Sequence, residues 1–410
     1  MSWPEQAGQS QRATVRVERG AFAPPCPMQE GDSAQPGALD LGGRLVLPPL
    51  IDPHVHMDKT YTRQRLGALQ PGLLNAISAM RADQDMHWSH ADLTARSERA
   101  LNQAYQAGTR LIRSHVDWSE PTEIPLAWSL LAEQRARWQH KIRLQRVALV
   151  PLGILEDIHK ASFIVQQVAA STDAAMGAFI HSSNFNASAM RNLVELAAEW
   201  RVDLDLHIDE ELSRESKGLE CLLDVLEART EPFCGRIVCG HLCSLANKEY
   251  HYAVGLLERA AKQPITFLML PTSNLFLQDA HPGHTPRKRG LTLLKEAHAR
   301  GINCLLGSDN VQDAFYPFGN YDPVEILRLG VLSAHLEDAF DTWSQAICST
   351  IGLDGQLASS NKEPTQEWIL FDTDSPWCWP SDLKRIRLHI GTCPIATTLF
   401  YPHDTPWSRS

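Results

Sequence analysis

The chain has 410 residues, 43% of them hydrophobic, with a formal net charge of −10 and a pI near 5.9. That suffices for one large barrel or two ordinary domains and excludes a disordered or fibrous protein. The acidic balance, without any long Lys/Arg block, argues against nucleic acid or an anionic membrane as partner.

The N-terminus has no basic-then-apolar leader, and no apolar run reaches membrane-spanning length, so a soluble cytoplasmic protein is expected. Nine cysteines without a Cys-x-x-Cys pair suit reduced thiols better than a disulfide framework.

Residues 1–43 are polar and rich in Pro and Gly, with one alternating piece at Ala13–Glu18 that reads as the edge of a small β-structure. From Leu45 the chain repeats a unit of short apolar run, polar loop and longer helical pattern. The first run, Leu45–Val55, leads into His54-Val55-His56-Met57-Asp58-Lys59. Seven more follow: Thr109–His115, Ile142–Val150, Met176–His181, Val202–Ile208, Arg236–His241, Ile265–Leu270 and Asn303–Gly307. Helical spacing of apolar residues marks Ser188–Trp200 and Leu219–Ala228 between them. Eight alternations of strand and helix favour a (β/α)8 barrel over an open doubly wound sheet. The first connection, 60–108, is the longest and has room for a lid. After Pro323 helical patterns run to about Leu336 and again over Ala339–Ile351, and residues 357–364 read as a linker. Strands return at Glu367–Phe371, Arg385–Ile390 and Ala396–Tyr401, and β pieces from both termini are expected to pair beside the barrel. The expected division is 1–44 and 353–410 as flanking β-structure and 45–352 as barrel.

Barrel chemistry sits at the C-terminal ends of the strands. There the sequence places His54 and His56, His207 with Asp209 and Glu210, His241, and Ser308-Asp309-Asn310. Any one of these has a bland reading as a satisfied histidine, a cap or a turn. Four of eight strands closing on such residues is better explained by a single divalent cation held by His54, His56, His207 and Asp309, with room for water. Such an ion makes hydroxide available near neutral pH. Asp309 then takes and passes on a proton, Glu210 protonates a substrate nitrogen, and His241 holds the hydroxide or the developing oxyanion. His115 and Asp117 end the second strand and His181 the fourth, which makes them pocket candidates, His115 for substrate binding. Cys234, Cys239 and Cys243 have the wrong spacing for a zinc knuckle, and Arg287-Lys288-Arg289 reads as a solvated loop.

With these residues assembled, the chain resembles the amidohydrolase superfamily, in its cytosine deaminase and N-isopropylammelide amidohydrolase branch. The resemblance runs from about Leu45 to Gly352, through His54–Lys59, His207–Glu210, Gly240-His241, Pro286–Gly290, Ser308–Asn310 and Tyr316–Gly319. It implies a metal-dependent barrel with a flanking β-sandwich that hydrolyses C–N bonds in nitrogen heterocycles, with zinc or iron at the site. By position it carries the ligands to His54, His56, His207 and Asp309, the proton shuttle to Glu210 and the catalytic histidine to His241. Strand four has no lysine to bridge a second ion, so one metal is implied. Pro151 stands where cytosine deaminases carry a glutamine that reads the pyrimidine edge, Asn310 replaces a second aspartate and Phe315 a tryptophan. These three are expected to contact substrate, and cytosine itself is not assured as the ligand.

The expected activity is thus hydrolytic deamination of an aminopyrimidine or related cyclic amidine. The alternatives are amide or amine cleavage on an N-substituted triazine or lactam, and a catalytically silent binding barrel. The partner expected is a small heterocycle, and homo-oligomer formation is left open.

Overall fold

Pro48-Pro49 divides the opening apolar run between two sheets. The computed structural model describes residues 41–353, 367–381, 384–389 and 396–398, with Gln29 and short strand segments among the first forty. Val46–Leu47 pairs antiparallel with Glu367–Phe371, Leu47 opposite Ile369. The chain enters the central sheet only at Leu50. Proline has no N–H for a ladder, so the pairing partner changes there. The single strand expected from Leu45 is therefore two, and flank and barrel meet at Pro48-Pro49 rather than before Leu45.

The central sheet comprises β1 (Leu50–Val55), β2 (Thr109–Asp117), β3 (Arg143–Pro151), β4 (Ala174–Ile180), β5 (Leu204–Ile208), β6 (Ile237–His241), β7 (Ile265–Met269) and β8 (Asn303–Leu306). They are parallel and lie in sequence order. A bridge between Val55 and Asp309 brings the two ends together, where the Asp309 N–H donates to His54 O at 2.8 Å. All eight expected strands are present, and the fold is the (β/α)8 barrel with a small antiparallel sheet beside it.

Parallel neighbours need crossovers, which helices supply. The first connection carries α1 (Leu73–His87) and α2 (His90–Gln106). One helix follows each of the next five strands: α3 (Leu126–Trp138), α4 (Ile158–Ala169), α5 (Ala187–Trp200), α6 (Gly218–Glu227) and α7 (Tyr250–Ala260). Two short helices, α8 (Pro271–Leu277) and α9 (Leu294–His298), link β7 to β8, and α10 (Pro323–Ala334) comes after β8. Helix α5 shows why these segments fold as they do. The Asn186 side chain accepts the Ala189 N–H at 2.9 Å, Met190, Leu193, Val194 and Ala197 are buried on one face, and Arg201 ends the helix in the left-handed region. Ala339–Ile351, expected as a helix, forms only a π turn and a 3₁₀ turn; Thr342, Ser344, Cys348, Ser349 and Thr350 are weak helix formers.

Most of the core lies between barrel and helices. Inside the barrel a separate apolar cluster of Ile51, Leu111, Val238, Leu268, Leu305 and Leu353 lies with the fully buried Arg113–Asp205 ion pair, N to O 2.7 Å. Gly177 makes that interior possible: a Cβ there would stand 2.5 Å from Val147 Cγ1 and 2.8 Å from Asp205 O.

The flanking sheet joins Val46–Leu47, Glu367–Phe371, Arg385–His389 and Ala396–Thr398 around Val46, Trp368, Leu370 and Leu388. Arg387 fastens it to α2 by donating to Glu367 Oε2 at 2.9 Å and to Tyr105 O at 2.7 Å. Ser2–Trp3, Gln11–Thr14 and Cys26–Pro27 form a sheet of their own, and Val17–Glu18 pairs with Ala21–Phe22. The expected linker at 357–364 and residues 399–401 of the last expected strand lie outside the described residues. No helix among the described residues is long and apolar enough to cross a membrane.

Candidate active site

Four strand ends converge on one point. His54 lies inside β1 and His56 one residue beyond it; both are buried, and alternation turns both imidazoles the same way. Their Nε2 atoms each lie 3.1 Å from Nε2 of His207, on β5. Asp309 Oδ1 lies 3.2 Å from His56 Nε2 and 3.6 Å from His54 Nε2. Four atoms bound about 2.0–2.1 Å from a common ion at tetrahedral angles stand about 3.3 Å apart, which matches this spacing. Burial first, then the neighbouring imidazoles, push the pKa values of His54 and His207 well below the ordinary histidine value, so both are neutral and in ligand form. Without a cation, three nitrogens and a carboxylate oxygen would crowd together with too few protons to share. The donor set fits one divalent ion. His54, His207, His241 and Asp309 also bring ligand atoms within 4.8 Å of one another, so His241 stands at the same centre.

Backbone strain marks the same place. Asp209, His241, Leu242 and Asp309 all have φ between 50° and 69°, a conformation costly for residues other than glycine and concentrated at functional sites. Asp209 turns away from the centre and accepts the N–H groups of Gly218 and Leu219 at 2.8 and 3.1 Å, capping α6. Only glycine fits at 218, since a Cβ there would stand 2.5 Å from Asp209 Oδ1. Glu210 is thereby aimed inward. Burial and then the Asp309 charge raise its pKa well above the usual glutamate value. Asp309 itself is held below the aspartate value, against burial, by His56 and His241.

These residues close the polar end of a cleft with about 720 Å³ of empty space, within the range of small-ligand sites. Pro151, Asn310 and Phe315 line it, as do His56, His207, Glu210, His241 and Asp309. Asn310 is tied to Asp313 at 2.7 Å, and Phe315 packs with Ala76 and Met80 of α1. Helix α1, from the long first connection, forms one wall through Leu73, Ile77, Met80, Arg81 and Gln84.

His115 does not reach the cleft, contrary to the sequence reading. It is fully buried behind the site, stacked on His54 with ring centroids 3.8 Å apart, its Nε2 3.5 Å from Asp205 Oδ1. Strand β2 runs on to Asp117, and at two residues per pleat Asp117 is the residue of that face at cleft level. His181 also lies outside the cleft lining, bonded to Ser183 at 2.9 Å. Arg287, Lys288 and Arg289 are exposed, with the first two backbone N–H groups on Asp279. Cys239 and Cys243 are buried, Cys234 is exposed, and all three are free thiols.

Two groups escaped the sequence reading. Lys59 lies in the cleft wall with its Nζ 2.7 Å from Asp117 and 3.2 Å from His56 Nδ1, held charged against burial by Asp117 and Asp58. Its place in His54–Lys59, shortly after the two histidines, was the available signal. Asn274, on α8, meets the His241 ring at 2.9 Å, and a lone asparagine after an apolar run gives no sequence signal.

Residues 37–182 match the model of the family described as "Amidohydrolase family". The chain is similar to a pterin deaminase of Rhizobium rhizogenes, 34% identical over 318 residues that cover 77% of this chain and 72% of the relative. It is also similar to the N-isopropylammelide isopropyl amidohydrolase of a Pseudomonas strain, 24% identical over 70% of this chain and 68% of the relative. Among solved structures, 5-methylcytosine deaminase from Klebsiella pneumoniae with bound 5-fluorocytosine superposes with a TM-score of 0.80 at 21% identity, covering 98% of this chain and 97% of that one.

Proposed function

This chain belongs to the amidohydrolase family and is a metal-dependent hydrolytic deaminase of nitrogen heterocycles; from that premise we propose that its substrate is a fused aminopyrimidine of the pterin kind. Glu210 carries the deaminase reading: a buried carboxyl that stays protonated beside the histidine cluster is the donor a ring nitrogen needs as water adds to its neighbouring carbon. The fused ring is favoured by the pterin deaminase relative and by Pro151, which puts a flat apolar surface where an amide would read a single pyrimidine edge.

His54, His56, His207 and Asp309 are the groups that would hold one divalent cation. When bound, such an ion brings the pKa of water near neutrality. Asp309 takes the proton released as water attacks the carbon bearing the amino group, and delivers it to that amino group as the C–N bond breaks. Glu210 protonates the ring nitrogen and regains a proton from the hydroxyl of the tetrahedral adduct as the carbonyl forms. His241 holds the attacking water. The free thiols Cys239, Cys243, Cys304 and Cys348 suit a reducing cytoplasm.

The test is ammonia release by metal-replete protein from pterin, cytosine and guanine, with isopropylamine release measured from N-isopropylammelide. The expected result is a kcat/KM for pterin at least about tenfold above the others, the scale on which one well-placed contact discriminates. Preferred release from cytosine or the triazine would end the fused-ring assignment.

A further inference from the structure

We propose that α8 is a positioning element of the site and that its Asn274 fixes the proton of His241 on Nδ1, leaving Nε2 to accept the O–H of the attacking water. The inference rests on the reading of His241 as the group that holds that water, and it decides between the two roles open to this histidine. A ring that keeps its proton on Nδ1 supports a hydroxyl; one that carries it on Nε2 supports an oxyanion.

Asn274 is fully buried, with Oδ1 2.9 Å from His241 Nδ1. An amide oxygen has no proton to give, so the ring must donate, and a neutral imidazole that donates from Nδ1 has its lone pair on Nε2. That Nε2 is buried without a hydrogen-bond partner, in the group that includes His54, His207 and Asp309. Glu210 Oε1 lies 3.5 Å from the same Nδ1, too far to compete with the amide. Asn274 thereby keeps the carboxyl free for proton transfer.

The rest of the helix repeats the pattern. Gln278, the residue that follows α8, donates from Nε2 to Glu210 O at 3.2 Å, and the Thr272 hydroxyl donates to Ser308 O at 2.8 Å. Three side chains of one short segment therefore reach the ends of β5, β6 and β8, which carry Glu210, His241 and Asp309. Space is left for it: a Cβ on Gly290 would stand 2.7 Å from Gln278 Cγ. Strand β7 contributes no group to the metal cluster, and the helix that follows it aligns groups from the other strands.

Histidine ¹⁵N NMR of the zinc-loaded full chain reads the tautomer of His241 directly, assigned by its loss in His241→Gln. The expected signal has the proton on Nδ1; a proton on Nε2 would overturn the proposal. Asn274→Leu is expected to lower kcat about 10- to 100-fold, the usual cost of losing a group that orients a ligand or base, with KM and zinc content close to wild type. Asn274→Asp retains an acceptor and is expected to recover the Nδ1 tautomer and most of kcat. A full kcat in Asn274→Leu, or a fall with the tautomer unchanged, counts against the assignment. If wild-type protein releases no ammonia from any heterocycle, the deaminase reading fails while the NMR result still decides this one.

Discussion

Two effects disfavour the ionised form of Glu210: it is buried, and the like charge of Asp309 acts on it. Replacing it with glutamine keeps shape and hydrogen bonding but removes the transferable proton. Glu210→Gln is expected to lower kcat by about 10²–10⁴-fold with bound metal unchanged, read by steady-state kinetics and metal analysis; metal loss in step with activity would make Glu210 a structural group. Asp52 shows the same physics without chemistry. Burial pushes its pKa up to about 7, even though Ser308 N–H donates to it at 3.0 Å. In the unfolded chain it ionises near 4, so between roughly pH 4 and 7 the folded state binds the extra proton and stability falls as pH rises, with a limiting slope of about 1.4 kcal/mol per pH unit. Asp52→Asn is expected to flatten that slope, measured by denaturant unfolding from pH 4.5 to 7.5, and an unchanged slope would show that other carboxyls control it. At this scale the sequence was most readable where a residue ends a strand, since alternation dictates its direction. Alternation pairs His54 with His56 and turns His207 inward, whereas Asp309, three residues beyond β8, was picked out only by its place after a strand. His115 and Asp117 were both placed at the end of the second strand; only Asp117 lies at cleft level, and His115, one pleat deeper, is buried against His54.

Among elements, α1 is the one whose position the site depends on most and whose own sequence explains least. Its cleft face joins apolar Leu73, Ile77 and Met80 to Arg81 and Gln84, and its outer face leaves Leu74 and Met86 exposed. The helix is held down near its C-terminal end: Arg65 donates twice to Asp83 at 2.7 Å, and Trp88 Nε1 donates to the same carboxylate at 2.9 Å. Asp83 is buried, so its loss strands these donors at a cost of about 1–3 kcal/mol. Asp83→Ala is expected to raise KM several-fold more than it lowers kcat, because the wall loosens while the polar end stays intact, and to speed amide exchange over 73–87. A selective fall in kcat would instead couple α1 to the chemical step. The sequence shows this connection as long and helical, but which of its faces meets the cleft depends on Arg65, in the loop just before the helix, and on Phe315, which approaches from a loop distant along the chain. The split at Pro48-Pro49 has a similar cause: apolar character extends across the two prolines, and only the absence of their N–H groups separates one sheet from the other.

At the scale of the whole molecule the barrel was legible because eight apolar runs alternate with helical patterns, whereas the way the ring closes was not. Adjacent strands from β1 through β8 each share several register pairs, but among the described residues β1 and the end of β8 meet through the single Val55–Asp309 bridge, aided by the bond from Ser308 N–H to Asp52. His54 and Asp309 lie on opposite sides of that seam, and His207 faces it across the barrel. A cation held by these residues would tie together the weakest join of the ring, and one with no affinity for the unfolded chain would stabilise the fold by about 4 kcal/mol at a free concentration a thousand times its Kd. Chelation is expected to lower Tm and to accelerate amide exchange in β1 and β8 ahead of β3 and β4. Asp309→Ala, lacking one ligand and the seam's carboxylate, is expected to resemble the chelated wild type and to respond little to added metal. Uniform acceleration around the ring on chelation would place the stabilising effect of the ion in the fold as a whole and leave the seam to its backbone bonds alone.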